Sequence, residues 1–273
     1  IKIGGTATGD KFATAALNEW VRIVAIAANK LTLDELPSGW TTDAGTGKTI
    51  KCWFGDTVRN GSTEIYETVE KAFMGQAVPK YIVFPDLLLN SMSLSIKPGS
   101  FITGSATYAG TVVDINASPI DASLTSAGSA SVMNAIDNVI RIAEGGATVA
   151  GPNYIQEWGI DINNNLQAQT AVGVYGAFAQ RVGRFTASGK LSTYFGDFSI
   201  YDKIVANSDT SLYAVLGREN QAYVIAMPRV KVSGDTPTAT ANDQDVLIDG
   251  TFEALVDSVT GDTVRIDRFE YFE

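Results

Sequence analysis

The sequence contains no histidine and a single cysteine. Histidine titrates near neutrality and is the commonest transition-metal ligand, so its absence removes the usual general base. Serine–histidine and cysteine–histidine hydrolase mechanisms are excluded outright. Cys52 cannot form an intramolecular disulfide or a cysteine metal cluster. Within Ile50-Lys51-Cys52-Trp53-Phe54 it is expected to be a small buried hydrophobe. Long apolar runs are also missing. The longest, Ile23 to Ala28, falls far short of the roughly 18 residues of a membrane span, so no membrane contact is expected. No basic region followed by an apolar run opens the given sequence, so no signal peptide is expected. Charged residues are few, at 18%, and unbalanced, with 30 acidic against 20 basic for a net charge of −10. Proteins that grip DNA are normally basic, because affinity comes largely from neutralising phosphates. If DNA meets this chain, repulsion is expected.

What is present points to β structure. The 273 residues can bury a substantial core, and 45% of them are apolar, a globular composition. The 26 glycines, with abundant Thr, Ser and Val, favour short strands and tight turns. Residues 154–197 organise the rest. In Trp158 to Asn163, Ile160 and Ile162 point one way and Gly159, Asp161 and Asn163 the other, the period of a strand with one buried face. In Arg184 to Phe195, a second face collects Phe185, Ala187, Gly189, Leu191, Thr193 and Phe195. The connector of about twenty residues is too long for an ordinary hairpin loop. It is expected to be a flexible, polar arm that reaches a neighbouring subunit. Residues 90–110 loosely resemble this unit: Leu94 and Ile96 alternate, Lys97-Pro98-Gly99 turns, and Phe101 to Tyr108 alternates again.

Elsewhere, strands are expected at Glu19–Ala28, Lys30–Leu33 and Thr49–Phe54. A helix over Ala13–Ala28 is the alternative to the first, disfavoured by Val21, Ile23, Val24 and Ile26. Further strands are expected at Glu64–Phe73, Gln76–Phe84, Leu87–Ile96, Leu212–Leu216, Ala222–Val232, Val246–Leu255 and Thr263–Tyr271. Ser131 to Ala143 has helical spacing, with a pair of short strands as the alternative. Asp197 to Asn207 is expected to be a helix, capped by Asp197 and apolar along Tyr201, Ile204 and Val205. The fold class is therefore mainly β, a sandwich or barrel with one or two short helices and long loops. Residues 1–54 form a small β-rich unit or insertion, and residues 55–273 the body.

No chemical motif survives inspection. Gly45-Thr46-Gly47-Lys48-Thr49 lacks the first glycine of a phosphate-binding loop, since position 42 is Thr, and its flanks are wrong. Asp161-x-Asn163-x-Asn165 starts like a calcium loop, but Leu166 stands where Gly is required and Val172 where the terminal carboxylate should be. Asp243 and Asp245 could form an acid/base pair, but no third ligand is visible, and neither a cofactor nor a metal is expected. A glycosidase stays open as an alternative, because carboxylate spacing alone does not exclude one. So does a carbohydrate-binding module, although Trp20, Trp40, Trp53 and Trp158 are scattered and not clustered.

Several segments in order resemble the major tail tube protein of long-tailed, siphovirus-like bacteriophages. These are RNGSTEIYETVEKAF (59–73), LLLNSMSLSIKPGSFITGSATYAG (87–110), GIDINNNLQAQTAVG (159–173), LSTYFGDFSIYDKIVANSDTSLYAV (191–215), and AYVIAMPRVKVSG with NDQDVLIDGTFEAL (222–255). The resemblance implies a non-enzymatic β-sandwich subunit of the virion, assembled in the host cytoplasm. Hexameric rings of it stack into a tube through which double-stranded DNA passes without specific binding. The implied partners are other copies of the chain, a tape-measure protein, and tail terminator and distal tail proteins. Two loops are expected to stitch neighbours: Leu36 to Lys48, with Leu36, Trp40, Thr41 and Lys48, and Gln167 to Arg181, with Gln167, Gln169, Tyr175, Phe178 and Arg181. Residues 243–273 hold nine acids and two arginines. Asp243, Asp245, Asp249 and Glu253 are the candidates for an acidic lumen.

Overall fold

Period-two alternation becomes strands in a computed structural model that describes residues 1–4, 19–34, 36, 51–129, 131–149, 151–237 and 244–272. The early strands are β1 (Lys2–Ile3), β2 (Glu19–Trp20), β3 (Ile23–Ala27), β4 (Lys30–Leu33), β5 (Cys52–Trp53), β6 (Asp56–Arg59) and β7 (Glu67–Phe73). Next come β8 (Lys80–Ile96), β9 (Thr103–Ala109), β10 (Asp114–Asn116), β11 (Val139–Glu144) and β12 (Ala147–Thr148). The second half holds β13 (Ile155–Asn163), β14 (Gln167–Thr170), β15 (Ala177–Arg181), β16 (Thr186–Tyr194), helix α1 (Ser199–Ala206), β17 (Asp209–Arg218), β18 (Gln221–Gly234), β19 (Leu247–Ala254) and β20 (Arg265–Phe269).

Two long strands turn one continuous sheet into a sandwich. The C-terminal half of β18 pairs with β19, and its N-terminal half pairs with β20. Both halves lie along β17, with a register break between Thr210 and Leu212, opposite Pro228. Proline cannot donate to the ladder, so a bulge there is the expected accommodation. One layer runs β9-β8-β13-β16-β19-β18; the other holds β11, β17, the first half of β18, β20 and β6. Trp158, Ile160, Ile162, Ala187, Leu191 and Phe252 from the first layer meet Leu212, Ala214, Leu216, Ile225 and Met227 from the second in one buried cluster. Trp158 is fully buried. Surface ion pairs such as Arg268–Asp56 at 2.9 Å are open to solvent, which screens them, so the apolar interior carries the fold.

The outer face of the second layer is covered in turn. Trp20 packs with Tyr213, Val215, Ala222 and Phe269, edge-on to Phe269 with ring centroids 4.9 Å apart. The buried Arg141 fastens this contact. Its guanidinium donates to the carbonyls of Trp20 and Gly146 and lies 5.4 Å from the Tyr213 ring centroid.

Several expectations need correction. The connector between β13 and β16 is not a plain loop, because Gln167 to Arg181 fold back as the β14–β15 ribbon. The Ser131–Ala143 segment does not form the helix its spacing allowed. Asn134 accepts hydrogen bonds from the amides of Ile136 and Asp137, at 2.8 and 2.7 Å, and closes a turn. The β-branched residues after it then join β17 as β11. Residues 80–96 form one strand of 17 residues in place of two, with Asp86 in the left-handed region at φ 51° after Pro85. Helix α1 buries Ile200 and leaves Val205 exposed, so its inward face is shifted from the Tyr201, Ile204, Val205 stripe. The N-cap position is Phe198 and not Asp197, and it makes no side-chain cap; Asp197, one residue earlier, accepts a hydrogen bond from the Ser199 amide at 2.9 Å. Cys52 is exposed, because it sits on a two-residue strand at a sheet margin.

Candidate assembly and channel surfaces

The first layer has one wet face, fixed by residue parity. On β8, Ser91, Ser93 and Ser95 alternate with Met92, Leu94 and Ile96, and only the latter set joins the core. Their partners are Thr107, Ser105 and Thr103 on β9 and Asn163, Asp161 and Gly159 on β13. The row continues through Thr186, Ser188 and Lys190 on β16, then Glu253 and Thr251 on β19, then Lys231 and Ser233 on β18. The Ser93 and Ser105 hydroxyls lie 2.8 Å apart. Ser192 donates to Asp249 at 2.6 Å. The result is a continuous sheet face of short hydroxyl side chains, with the carboxylates Asp161, Asp249 and Glu253 interspersed with Lys190 and Lys231. Such a face hydrogen-bonds water well and offers little apolar area for adhesion.

The acids of the C-terminal stretch are therefore not one surface. Asp249 and Glu253 lie on the wet face, and Asp245 is exposed just before β19. Asp262 is buried and pairs with Arg59 at 3.6 Å. Asp267 pairs with Arg265 at 2.8 Å. Asp257 accepts from the Val259 and Thr260 amides in a turn. Asp243 lies outside the described residues.

The second surface is the β14–β15 arm. Gln167 pairs with Arg181 and Gln169 with Ala179, while Tyr175 sits in the turn and Phe178 on the returning strand. Glycines at 173 and 176, with φ of 83° and 78°, supply the left-handed backbone of that turn. Val172 and Tyr175 are completely exposed, at 106% and 103%, and Phe178 is 56% exposed. At its root the arm is held firmly. The Asn164 side chain donates to the Leu89 carbonyl at 2.8 Å, and Asn165 to Arg184 at 2.6 Å. Gln180 donates to the Gly110 carbonyl at 3.0 Å. The same end of the layer carries a second projection, where the first half of β8 runs past β13 and pairs with β7 and β10. The Leu36 side chain is exposed; Trp40, Thr41 and Lys48 lie outside the described residues.

At the opposite end, β16 passes into α1. Phe195 and Phe198 meet edge-to-face at 5.3 Å, and Phe198 lies 6.4 Å from Tyr201. Asn153 ties this corner together. Its amide donates to Asp197 at 2.6 Å, and its carbonyl accepts from the amides of Gly196 and Asp197 at 2.9 and 3.1 Å. Hydrogen bonds from the Ser199 hydroxyl, the Ser199 amide and Asn153 hold the Asp197 carboxyl below its ordinary value of 3.8, so it is charged at neutral pH. Lys203 is committed to the buried Glu144, which also accepts from Thr210.

A cavity of about 390 Å³ lies between the β3–β4 hairpin and the outer face of β17 and β18. It is mostly apolar, and its Arg265 and Asp267 are already paired with each other. Among the described residues that line it, Asp262 is likewise paired, with Arg59 at 3.6 Å.

Sequence reasoning passed over the hydroxyl row because it followed charge. The signal was present in the Ser91-x-Ser93-x-Ser95 and Thr103-x-Ser105-x-Thr107 alternation.

Nothing matches among curated proteins. Residues 35–254 match the family described as phage tail tube protein. The match spans most of the chain, including every strand of the wet-faced layer and the arm. The chain belongs to the phage tail tube family and is a structural protein of the bacteriophage virion tail.

Proposed function

We propose that the chain is the major tail tube subunit of a siphovirus-like phage, assembled into stacked hexameric rings whose bore conducts the genome during ejection. One observation carries this reading: the hydroxyl-faced layer ends in a free edge. Among the described residues β9 pairs only with β8, which leaves Thr103–Ala109, a strand without proline or charge, with unused backbone groups. Such an edge invites pairing, and a closed ring of copies consumes it. The hydroxyl face then lines the bore. Asp249 and Glu253, with Asp161, leave it weakly acidic, so a passing polyanion finds neither apolar patches nor dense positive charge. Residues 1–54 form the outward unit and residues 55–273 the wall. The loops at Leu36–Lys48 and Gln167–Arg181 hold neighbours together. The further partners are a tape-measure protein before DNA enters, and terminator and distal tail proteins at the two ends of the tube.

Purified protein at high concentration is expected to form rings or hollow tubes in negative stain. A monodisperse monomer at every concentration and salt would overturn the proposal. The wall assignment has its own check. In assembled tubes of a Cys52→Ser, Ser93→Cys chain, a small maleimide should label Cys at 93 and a bulky polymer-linked maleimide should not. Equal labelling by both reagents would place that face outside.

A further inference from the structure

The β3–β4 hairpin is a two-stranded sheet of its own, and among the described residues neither strand pairs with any other. A lone hairpin is marginal unless it packs on something. This one is fixed at its root. Arg22 pairs with Asp34 at 3.1 Å, the Asp34 amide donates to the Arg22 carbonyl at 3.0 Å, and the Ser211 hydroxyl donates to Asp34 at 3.1 Å. Beyond the root the hairpin stands over the outer face of β17 and β18, with the cavity of about 390 Å³ between them. The lining runs from the buried Trp20 and Val215 to the largely exposed Ile26, Phe54 and Val259. Single exposed apolar side chains are ordinary, but three around one opening form a patch of the kind that meets a ligand.

The lining also says which ligand. Its charged residues are Arg22, Asp262, Arg265 and Asp267. Each already has a partner of opposite sign: Arg22 has Asp34, Asp262 has Arg59, and Arg265 has Asp267. The Thr260 hydroxyl is spent on Asp257. A charged ligand would lose water here and gain no counter-ion. A polypeptide segment would strand backbone N–H and C=O groups against apolar walls. The volume equals that of about thirteen liquid waters at ~30 Å³ each, room for two or three aromatic rings. We propose that the cavity is a binding site for one small uncharged apolar molecule of that size, on which the β3–β4 hairpin closes as a flap. The site lies on the outer face of the second layer, away from the hydroxyl row, and is independent of the tube reading.

The probe is N-phenyl-1-naphthylamine, an uncharged three-ring compound that is dark in water and fluoresces in apolar surroundings. Titrated against the full chain, it should bind saturably, one molecule per chain. 8-Anilino-1-naphthalenesulfonate, the same ring system with a sulfonate added, should bind at least tenfold more weakly. Ala226→Phe fills the cavity from the β18 side and Ile26→Asp charges the hairpin; each should weaken binding of the neutral probe at least tenfold. Phe198→Asp alters an exposed aromatic outside the lining and should leave binding unchanged. Hydrogen exchange of the β3 and β4 amides should slow at least tenfold when the probe is saturating. Should Ala226→Phe fail to fold by circular dichroism, Ile26→Asp decides, since its side chain already faces water. Fluorescence that never saturates, or binding that Phe198→Asp weakens and Ile26→Asp does not, refutes the site. Equal affinity for the sulfonate refutes the uncharged ligand, and binding without slowed exchange refutes the flap.

Discussion

Gly189→Ala is expected to destabilise the protomer by about 3 kcal/mol or more, at the upper end of overpacking costs. The backbone of Gly189 is ordinary extended strand; the demand is for space. A Cβ there would sit 2.0 Å from the Gly159 carbonyl oxygen and 2.4 Å from the Phe252 ring. Phe252 is the cross-strand partner of Gly189, and its ring lies over the glycine, with only 2% of the residue exposed. The ring covers the gap that a missing side chain would otherwise leave. Phe252 could tilt away, but the Gly159 oxygen belongs to the neighbouring strand and can retreat only by parting β13 from β16. Denaturant unfolding of the variant, followed by amide exchange of β13 and β16, measures the effect. A midpoint equal to that of the parent chain would show that these strands have slack the structure does not display.

Replacing Ala168–Gln180 by Asn-Gly is expected to abolish tube formation while leaving the protomer folded. The two-residue turn suits the antiparallel Gln167–Arg181 pair that remains. The anchoring bonds of Asn164 and Asn165 are untouched. Among the described residues, the hydrogen bond lost from the body is Gln180–Gly110, worth about 1 kcal/mol. The protomer's denaturation midpoint should therefore move little, and sedimentation should show no species larger than a single ring at concentrations where the parent chain gives tubes. Normal tubes from the shortened chain would show that the arm is dispensable for stacking.

The body of the fold was legible because its strands obey a simple rule. Ile160 and Ile162 alternate with Gly159 and Asp161, and the structure buries the isoleucines with Trp158 on the same face. The same parity placed Ala187 and Leu191 inward. The arm was legible as an extension but not as a ribbon, since Gln167–Thr170 has no apolar period. Its one local clue was the pair Gly173 and Gly176. At Ser131–Ala143 the spacing favoured a helix as much as a strand, and only the distant pairing of β11 with β17 resolved it. For Cys52, its apolar neighbours suggested burial, but a strand of two residues at a margin buries little. The wet face of the first layer was half visible. Asp249 and Glu253 stood out as charges, whereas the more numerous serines and threonines around them carried no charge to attract notice.

One strand belongs to both leaves of the sandwich. Because β18 contributes its first half to one leaf and its last half to the other, neither leaf can be peeled off without stripping the other's ladder. If such protomers stack into the tube proposed above, axial load would pass through this shared backbone, and the joints between protomers would part before the protomers themselves.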